Sequence, residues 1–216
     1  MPPKSFRFIL ASQSPRRHEL AIAAGWDVII AAAPEHVEAT AQPQADDEPL
    51  AAFVTRLACA KAAAVTADLP PTLCSDRDRM ILACDTLGEI DGRPLGKPRD
   101  RGDAAAMIRQ LCGRHHRVMT GVSLWVPTGL APRDPRDLPR AYAVINGHAE
   151  SQVFMEPVTA RELDAYLETG AWQGKAGSCG LQDGLLPLRL IEGTADTVVG
   201  LPVALIEQLA AGRSDC

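Results

Sequence analysis

The sequence predicts an α/β fold, because strand-like apolar runs alternate with helix-like segments along most of its 216 residues. Two further observations support this reading. Apolar residues make up 46% and charged residues 23%, which is ordinary globular usage. Residues with capping or turn chemistry, such as Ser14-Pro15, Gly25, Asp100, Gly113 and Gly170, also fall at the ends of several segments. A chain of this length is expected to form one domain over residues 1–216 and to bury roughly 70% of its unfolded surface. The net charge of −5 argues against a broad phosphate-backbone footprint, so no nucleic-acid partner is expected. The apolar content is too high, and the net charge too low, for intrinsic disorder.

The elements follow in order. Phe6 to Ala11 reads as a first strand. Ser14 offers an N-cap hydroxyl, Pro15 suits the first helical position, and Gly25 closes that helix. Asp27 to Ile30 reads as a second strand. The polar stretch from Thr40 to Pro49 reads as a loop, after which Pro49 opens an Ala-rich helix to about Ala67 with Phe53, Leu57 and Ala60 on one face. Residues 68–79 read as an exposed charged loop. Met80 to Cys84 is an apolar strand expected to end at Asp85, and Asp91-Gly92 reads as a hairpin turn. Asp100 caps a helix that Gly113 stops. Arg117 to Val126 is a long strand, residues 127–141 a second exposed loop, and Ala143 to Glu156 a returning strand. Thr159 and Glu162 form a capping box for a helix stopped by Gly170, and a last helix runs from Pro202 to Gly212.

The apolar stretch from Ala21 to Ala33 is interrupted by Gly25 and Asp27 and falls short of the ~20 residues that span a bilayer. The N-terminus holds only a short apolar run, Phe8 to Ala11, too brief for a signal-peptide core. A cytoplasmic protein without a membrane partner is expected. Cys59, Cys74, Cys84, Cys112, Cys179 and Cys216 include no C-x-x-C pair, so packing or surface roles are expected for all six. His115 and His116, at the start of the long strand, are expected to be structural or solvent-exposed.

Three segments carry chemistry. In Leu10-Ala11-Ser12-Gln13-Ser14-Pro15-Arg16-Arg17 two arginines occupy the first turn of a helix, the end whose dipole disfavours cations. A bound phosphate would account for them, because helix N–H groups and guanidinium groups both hold phosphate oxygens. Asp85, where a buried strand emerges, stands at the kind of sheet edge where α/β proteins bind ligands. A carboxylate there can hold a hard divalent cation or take a proton from water. Lys97 follows in Gly96-Lys97-Pro98, on a turn from which it can reach a phosphate. The third segment, Gly174 to Gly184, is glycine-rich, and its Gln182 can both donate to and accept from a base edge.

Together these segments resemble the Maf family of nucleotide pyrophosphatases. The resemblance runs through LASQSPRR (10–17), Lys61, ACDT (83–86), GKP (96–98), the block 103–124, KAGSCGLQ (175–182) and VVGLP (198–202). It implies an elongated α/β body with a mixed sheet, flanking helices and a central cleft, similar to the inosine-triphosphate pyrophosphatases. It implies hydrolysis of nucleoside triphosphates between the α and β phosphates, with Mg²⁺ or Mn²⁺. Lys175 and Gln182 match the branch that acts on dTTP, UTP and modified pyrimidine nucleotides. By the same resemblance Asp85 is the proton acceptor and a metal ligand. Arg16, Thr86 and Gln182 match specificity positions, and Ser12, Arg17, Lys61 and Lys97 match positions lining the phosphate cleft. Glu38 is in register with one member of the family's acidic pair and is the second expected metal ligand, although Val37 replaces its neighbour. Cys179 stands where a Tyr is usual, and Ala195-Asp196 where a Ser/Thr-Tyr-like pair is common. A homodimer is expected from the resemblance alone. Two alternatives stay open: the 7-methyl-GTP branch of the family, and a nucleotide-binding regulator of septum formation that does not turn over.

Overall fold

A computed structural model describes residues 6–34, 36–39, 48–70, 73, 76, 78–128 and 141–212. Its strands are β1 (Arg7–Leu10), β2 (Asp27–Ile30), β3 (Met80–Ile90), β4 (Arg93–Leu95), β5 (Arg114–Pro127), β6 (Tyr142–Met155) and β7 (Leu188–Glu192). Its helices are α1 (Pro15–Ala23), α2 (His36–Ala39), α3 (Leu50–Asp68), α4 (Arg101–Leu111), α5 (Ala160–Glu168), α6 (Ala195–Val199) and α7 (Val203–Ala211). The strands form one seven-stranded mixed sheet in the order β2-β1-β3-β5-β6-β7, with β4 paired to β3. This is the mixed α/β architecture expected.

Two compact units are distinguished. The first comprises Met1–Asp85, Gly121–His148 and Leu201–Cys216. In it β1 pairs in parallel with β2 from Arg7↔Asp27 to Leu10↔Ile30, and with β3 from Phe8↔Met80 to Leu10↔Leu82. Parallel strands are covered on both faces, so β1 and β3 read as unbroken apolar runs. One layer packs Phe8, Leu10, Trp26, Met80, Leu82 and Ile206 together, and the other packs Ile9, Ile81, Ala62, Val65 and Trp125. Where these strands begin, the buried Arg79 guanidinium bonds the Asp27 carboxylate at 2.7 Å and the carbonyl oxygens of Asp27 and Phe8 at 3.1 and 3.3 Å. Arg79 first and Arg7 second hold the Asp27 carboxyl below its ordinary range. Arg79 therefore departs from the exposed loop expected over 68–79.

The second unit comprises Thr86–Thr120 and Ala149–Gly200. Ile90, Leu95, Ile108, Leu111, Met155, Leu163, Tyr166 and Leu167 form its core. Asp91 and Gly92 both have positive φ, 55° and 74°, as a tight two-residue hairpin between β3 and β4 requires. Asp100 caps α4 by accepting from the Asp103 N–H at 2.8 Å, and the Thr159/Glu162 capping box starts α5 as expected.

Other expectations need correction. The strand through Met80 does not end at Asp85. It continues to Ile90, because residues 88–90 pair antiparallel with β4 after the parallel partner β1 has run out at Leu82. Helix α3 buries Phe53, Val54, Leu57, Ala58, Lys61, Ala62 and Val65, whereas Ala60 is exposed. Helix α3 is also long and apolar enough to cross a membrane by length and composition, which Ala21–Ala33 is not. Its apolar face is instead covered by strand residues such as Ile9, Ile81 and Ala83. Ser14 is the N-cap residue of α1 but makes no side-chain capping bond. The loops 40–49 and 127–141 lie largely outside the described residues, as do Cys74 and Cys216.

Candidate active site

In the first unit the site grows from β3 and α3. Lys61 sits on the buried stripe of α3, one turn beyond Leu57, so its aliphatic stem packs among apolar neighbours. An ammonium taken out of water needs a partner. That partner is Asp85: Lys61 Nζ donates to Asp85 Oδ1 at 2.5 Å, with the two side chains only 6% and 9% exposed. Among the described residues Asp85 Oδ2 accepts no hydrogen bond, so it is the oxygen left to meet a water or a cation. Next to Asp85, the Cys84 side chain is fully buried in the core and its carbonyl accepts from Arg17 Nη1 at 2.8 Å. Arg17 Nη1 also reaches Ser12 Oγ at 3.4 Å, and Ser12 Oγ accepts from the Ser14 N–H at 3.2 Å. Ser12, rather than Ser14, is therefore the hydroxyl that organises the start of α1.

Arg16 is half-buried, and among the described residues its guanidinium makes no ion pair or hydrogen bond. No acidic residue stands in the first turn of α1. Arg16 thus adds positive charge at the helix end that already carries a positive dipole, which favours an anion there. The structure brings Ser12 and Arg17 together and pairs Lys61 with Asp85.

In the second unit, Thr86 Oγ1 lies 2.9 Å from Thr120 Oγ1, and Thr120 Oγ1 donates to the Thr197 carbonyl at 2.7 Å. Lys97 is exposed just after β4. Its segment is tied to the glycine-rich loop, because the Gly177 N–H donates to Gly96 O at 3.1 Å. Lys175 pairs with Asp183 across that loop. A Cβ on Gly180 would lie 2.7 Å from Asp183 Oδ2, so a larger residue there would push the Asp183 carboxylate aside. Tyr166 donates its hydroxyl proton to Ser178 O at 2.8 Å and pins the loop to α5. Gln182 is exposed on the turn Leu181–Asp183, against which α6 packs. Burial pushes the Cys179 thiol up to about 12, so the residue at the usual Tyr position is a neutral packing group.

Thr120 and Asp183 carry this arrangement and were not singled out from the sequence. Thr120 lies in a run of mixed small residues with no periodic signal, and Asp183 is legible only once Lys175 is seen opposite it. Glu38 falls in α2, but its side chain lies outside the described residues. Among the described residues no three His, Cys, Asp or Glu side chains cluster. One buried carboxylate with an open oxygen still fits a hard divalent cation of the Mg²⁺ kind, which binds through one or two carboxylates plus substrate phosphates. An open hollow of about 670 Å³ in the first unit, lined by Thr55, Arg56, Cys59, Asn146 and His148 among others, holds none of the expected site residues.

Comparison with known proteins adds a family and named relatives. The model of the family described as Maf-like protein matches residues 7–212. The chain is 38% identical over 212 residues to the dTTP/UTP pyrophosphatase of Moorella thermoacetica, covering 95% of this chain and 94% of the relative. It is 35% identical over 208 residues to the protein of that name in Rhodopirellula baltica, covering 96% and 82%. The protein of that name in Bacillus velezensis is 35% identical over 201 residues, covering 92% of each chain.

Proposed function

The chain belongs to the Maf-like family, and from that premise we propose that it is a nucleoside-triphosphate pyrophosphatase that converts dTTP and UTP to the monophosphate and pyrophosphate. The observation that carries this reading is the buried Lys61–Asp85 pair beside Arg17. It unites three of the residues assigned to the reaction and leaves one carboxylate oxygen open. The match over residues 7–212 supports treating the chain as one family domain.

Lys61 fixes the carboxylate and occupies Oδ1, so Asp85 Oδ2 receives the proton of the attacking water. Arg16 and Arg17, at the start of α1, are assigned to the phosphates, together with Ser12 and the exposed Lys97. Positioned cations and N–H groups hold charge that spreads over the phosphoryl oxygens in the transition state. Thr86 and Gln182 are assigned to the base. A divalent cation, Mg²⁺ or Mn²⁺, would be held by Asp85 and, by resemblance, Glu38, and would neutralise the triphosphate and its leaving pyrophosphate. A cytoplasmic location and a second copy of this chain as partner belong to the same reading and rest on the resemblance. Neither 7-methyl-GTP hydrolysis nor septum regulation gains support from the names of the relatives above.

The test is pyrophosphate release from dTTP, UTP, CTP, GTP and 7-methyl-GTP, each with Mg²⁺ and with Mn²⁺. Turnover concentrated on dTTP and UTP, and lost in Asp85→Asn with the fold retained, is the expected result. Preference for 7-methyl-GTP would overturn the substrate. Tight nucleotide binding without release would overturn the reaction.

A further inference from the structure

Resting on the assignment of Gln182 to the base, we infer that Asp183, held by Lys175, is a positioning residue that fixes the polarity of the Gln182 amide and so selects a pyrimidine carrying a ring N–H. A glutamine amide has a donor half and an acceptor half, and among the described residues that of Gln182 makes no hydrogen bond. Which half it turns outwards is therefore decided by the charge beside it, and that charge is Asp183. The point where a Cβ of Gly180 would stand lies 2.7 Å from Asp183 Oδ2 and 3.3 Å from Gln182 Nε2, so both groups fold over the bare face of this glycine. A carboxylate attracts the NH2 of an amide and repels its oxygen, and Nε2 is the atom on this side. Oε1 is left to face away from Asp183.

The carboxylate is itself held in place. Asp183 pairs with Lys175 across the glycine-rich loop, and the two side chains are only 18% and 11% exposed, so water and salt screen the pair little. The Asp183 N–H donates to Gly180 O at 3.3 Å and closes the turn that carries Gln182, and Gly184, with φ 63°, lets the chain leave it. Between the two partners in sequence, Ser178 is tied to α5 by the Tyr166 hydroxyl. On its other side the turn is supported by α6. The ion pair therefore spans a loop that is anchored at both ends, all within the second unit.

An amide free to turn can read either pyrimidine, because exchanging its two halves matches uracil in one setting and cytosine in the other. An amide whose NH2 stays with Asp183 offers the base only Oε1. That oxygen accepts from the N3–H of uracil and thymine. Cytosine has an unprotonated N3, and two facing acceptors repel. Asp183 thus distinguishes UTP from CTP through Gln182, with no contact of its own to the base.

The experiment measures kcat/KM for UTP and CTP in the wild type and in Asp183→Asn, Lys175→Met, Lys175→Arg and Gln182→Ala. Asparagine keeps the shape of Asp183 but not its charge, so the Gln182 amide can turn; methionine at 175 lets the carboxylate swing out to water. The expected result is a fall of about fivefold in the UTP:CTP ratio for Asp183→Asn and for Lys175→Met, seen mainly in KM, with the wild-type ratio kept in Lys175→Arg. A structural role alone would lower both rates together and leave the ratio unchanged. If Gln182→Ala lowers the ratio while Asp183→Asn does not, the inference is overturned and the assignment of Gln182 survives. If Gln182→Ala leaves the ratio unchanged, the assignment of Gln182 falls and the inference with it. Release from neither nucleotide by the wild type would overturn the reaction itself. Should Lys175→Met not fold, Lys175→Met/Asp183→Asn removes the pair without leaving a lone charge and carries the same outcomes.

Discussion

Gly121 on β5 lies directly against the backbone of helix α3, and Gly121→Ala should damage stability and rate together. A Cβ built there would lie 2.4 Å from Thr55 N and Val54 C and 2.5 Å from Val54 O. Ordinary contact starts at 3.4 Å, so the helix backbone must retreat by about 1 Å (3.4 − 2.4). None of the three atoms can rotate away, because all are main chain inside a helix. Val54 and Ala58 are fully buried, and Leu57 nearly so, so the retreat opens gaps along their contacts. Overpacking of this kind costs ~1–3 kcal/mol, and a radial gap of 0.5–1 Å forfeits a quarter to a half of each contact it opens. The combined loss of about 3 kcal/mol is a large part of the 5–15 kcal/mol that holds a typical domain folded. Lys61 lies two turns further along α3 and moves with it, away from Asp85 Oδ1. A misplacement of ~1 Å at a reacting group costs roughly 100-fold in rate. Urea unfolding gives the first quantity, and pyrophosphate release from UTP gives the second. A variant within about 0.5 kcal/mol and threefold of the wild type would show that α3 does not depend on this contact, and the argument would fail.

Three further outcomes are expected. Lys61→Met orphans a buried carboxylate and should cost ~3–5 kcal/mol, measured by urea unfolding, together with turnover. The double variant Lys61→Met/Asp85→Asn should recover part of the stability but none of the rate, and a double no more stable than the single would contradict this. His116 is buried on β5, and desolvation first, with His115 adding repulsion, depresses its pKa from 6.5 to about 4. Its folded pKa lies below its unfolded one, so the unfolded chain takes up the proton first as pH falls. The contribution is complete above pH 6.5 and is lost between there and about 4, amounting to about 2 kcal/mol by pH 5. Unfolding midpoints at pH 7 and pH 5 should therefore separate less in His116→Gln than in the wild type. Finally, Asp100→Ala removes the cap of α4 and should cost about 1 kcal/mol by thermal unfolding, whereas Asp100→Asn should be nearly neutral.

The parallel strands were legible because burial on both faces leaves unbroken runs such as Phe8-Ile9-Leu10 and Met80-Ile81-Leu82. Helix ends were legible where a local bond makes them, as at Asp100 and at Thr159 with Glu162. What hydropathy could not supply was any feature set by a distant partner. Ala60 was expected inside and Lys61 was not placed there, yet the buried position is the lysine, because Asp85 waits for it 24 positions along the chain. The extension of β3 past Asp85 depends on pairing with β4, and Thr86 to Ile90 carry no apolar run to announce it. β7 and α6 have only five residues each and mixed exposure, too little for either periodicity to register. In the site, Asp85 and the arginines stood out by chemical type. Thr120 did not, because its partners, the Thr86 hydroxyl and the Thr197 carbonyl, lie 34 and 77 positions away.

One layer of the first unit's core joins segments almost two hundred residues apart. Phe8, Leu10 and Trp26 pack with Leu201, Ile206 and Ala210, and Trp26 Nε1 donates to Glu207 Oε1 at 3.2 Å. This core therefore cannot close until residues 201–210 have been made and reach it. β1 is made before its partners, has one open edge until β3 arrives some seventy residues later, and stays uncovered on one face until α7 follows. Folding of this unit must wait for α7, and until then its most apolar strand is exposed to aggregation or to a chaperone. A chain cut short before α7 should fail as completely as one that lacks its first strand.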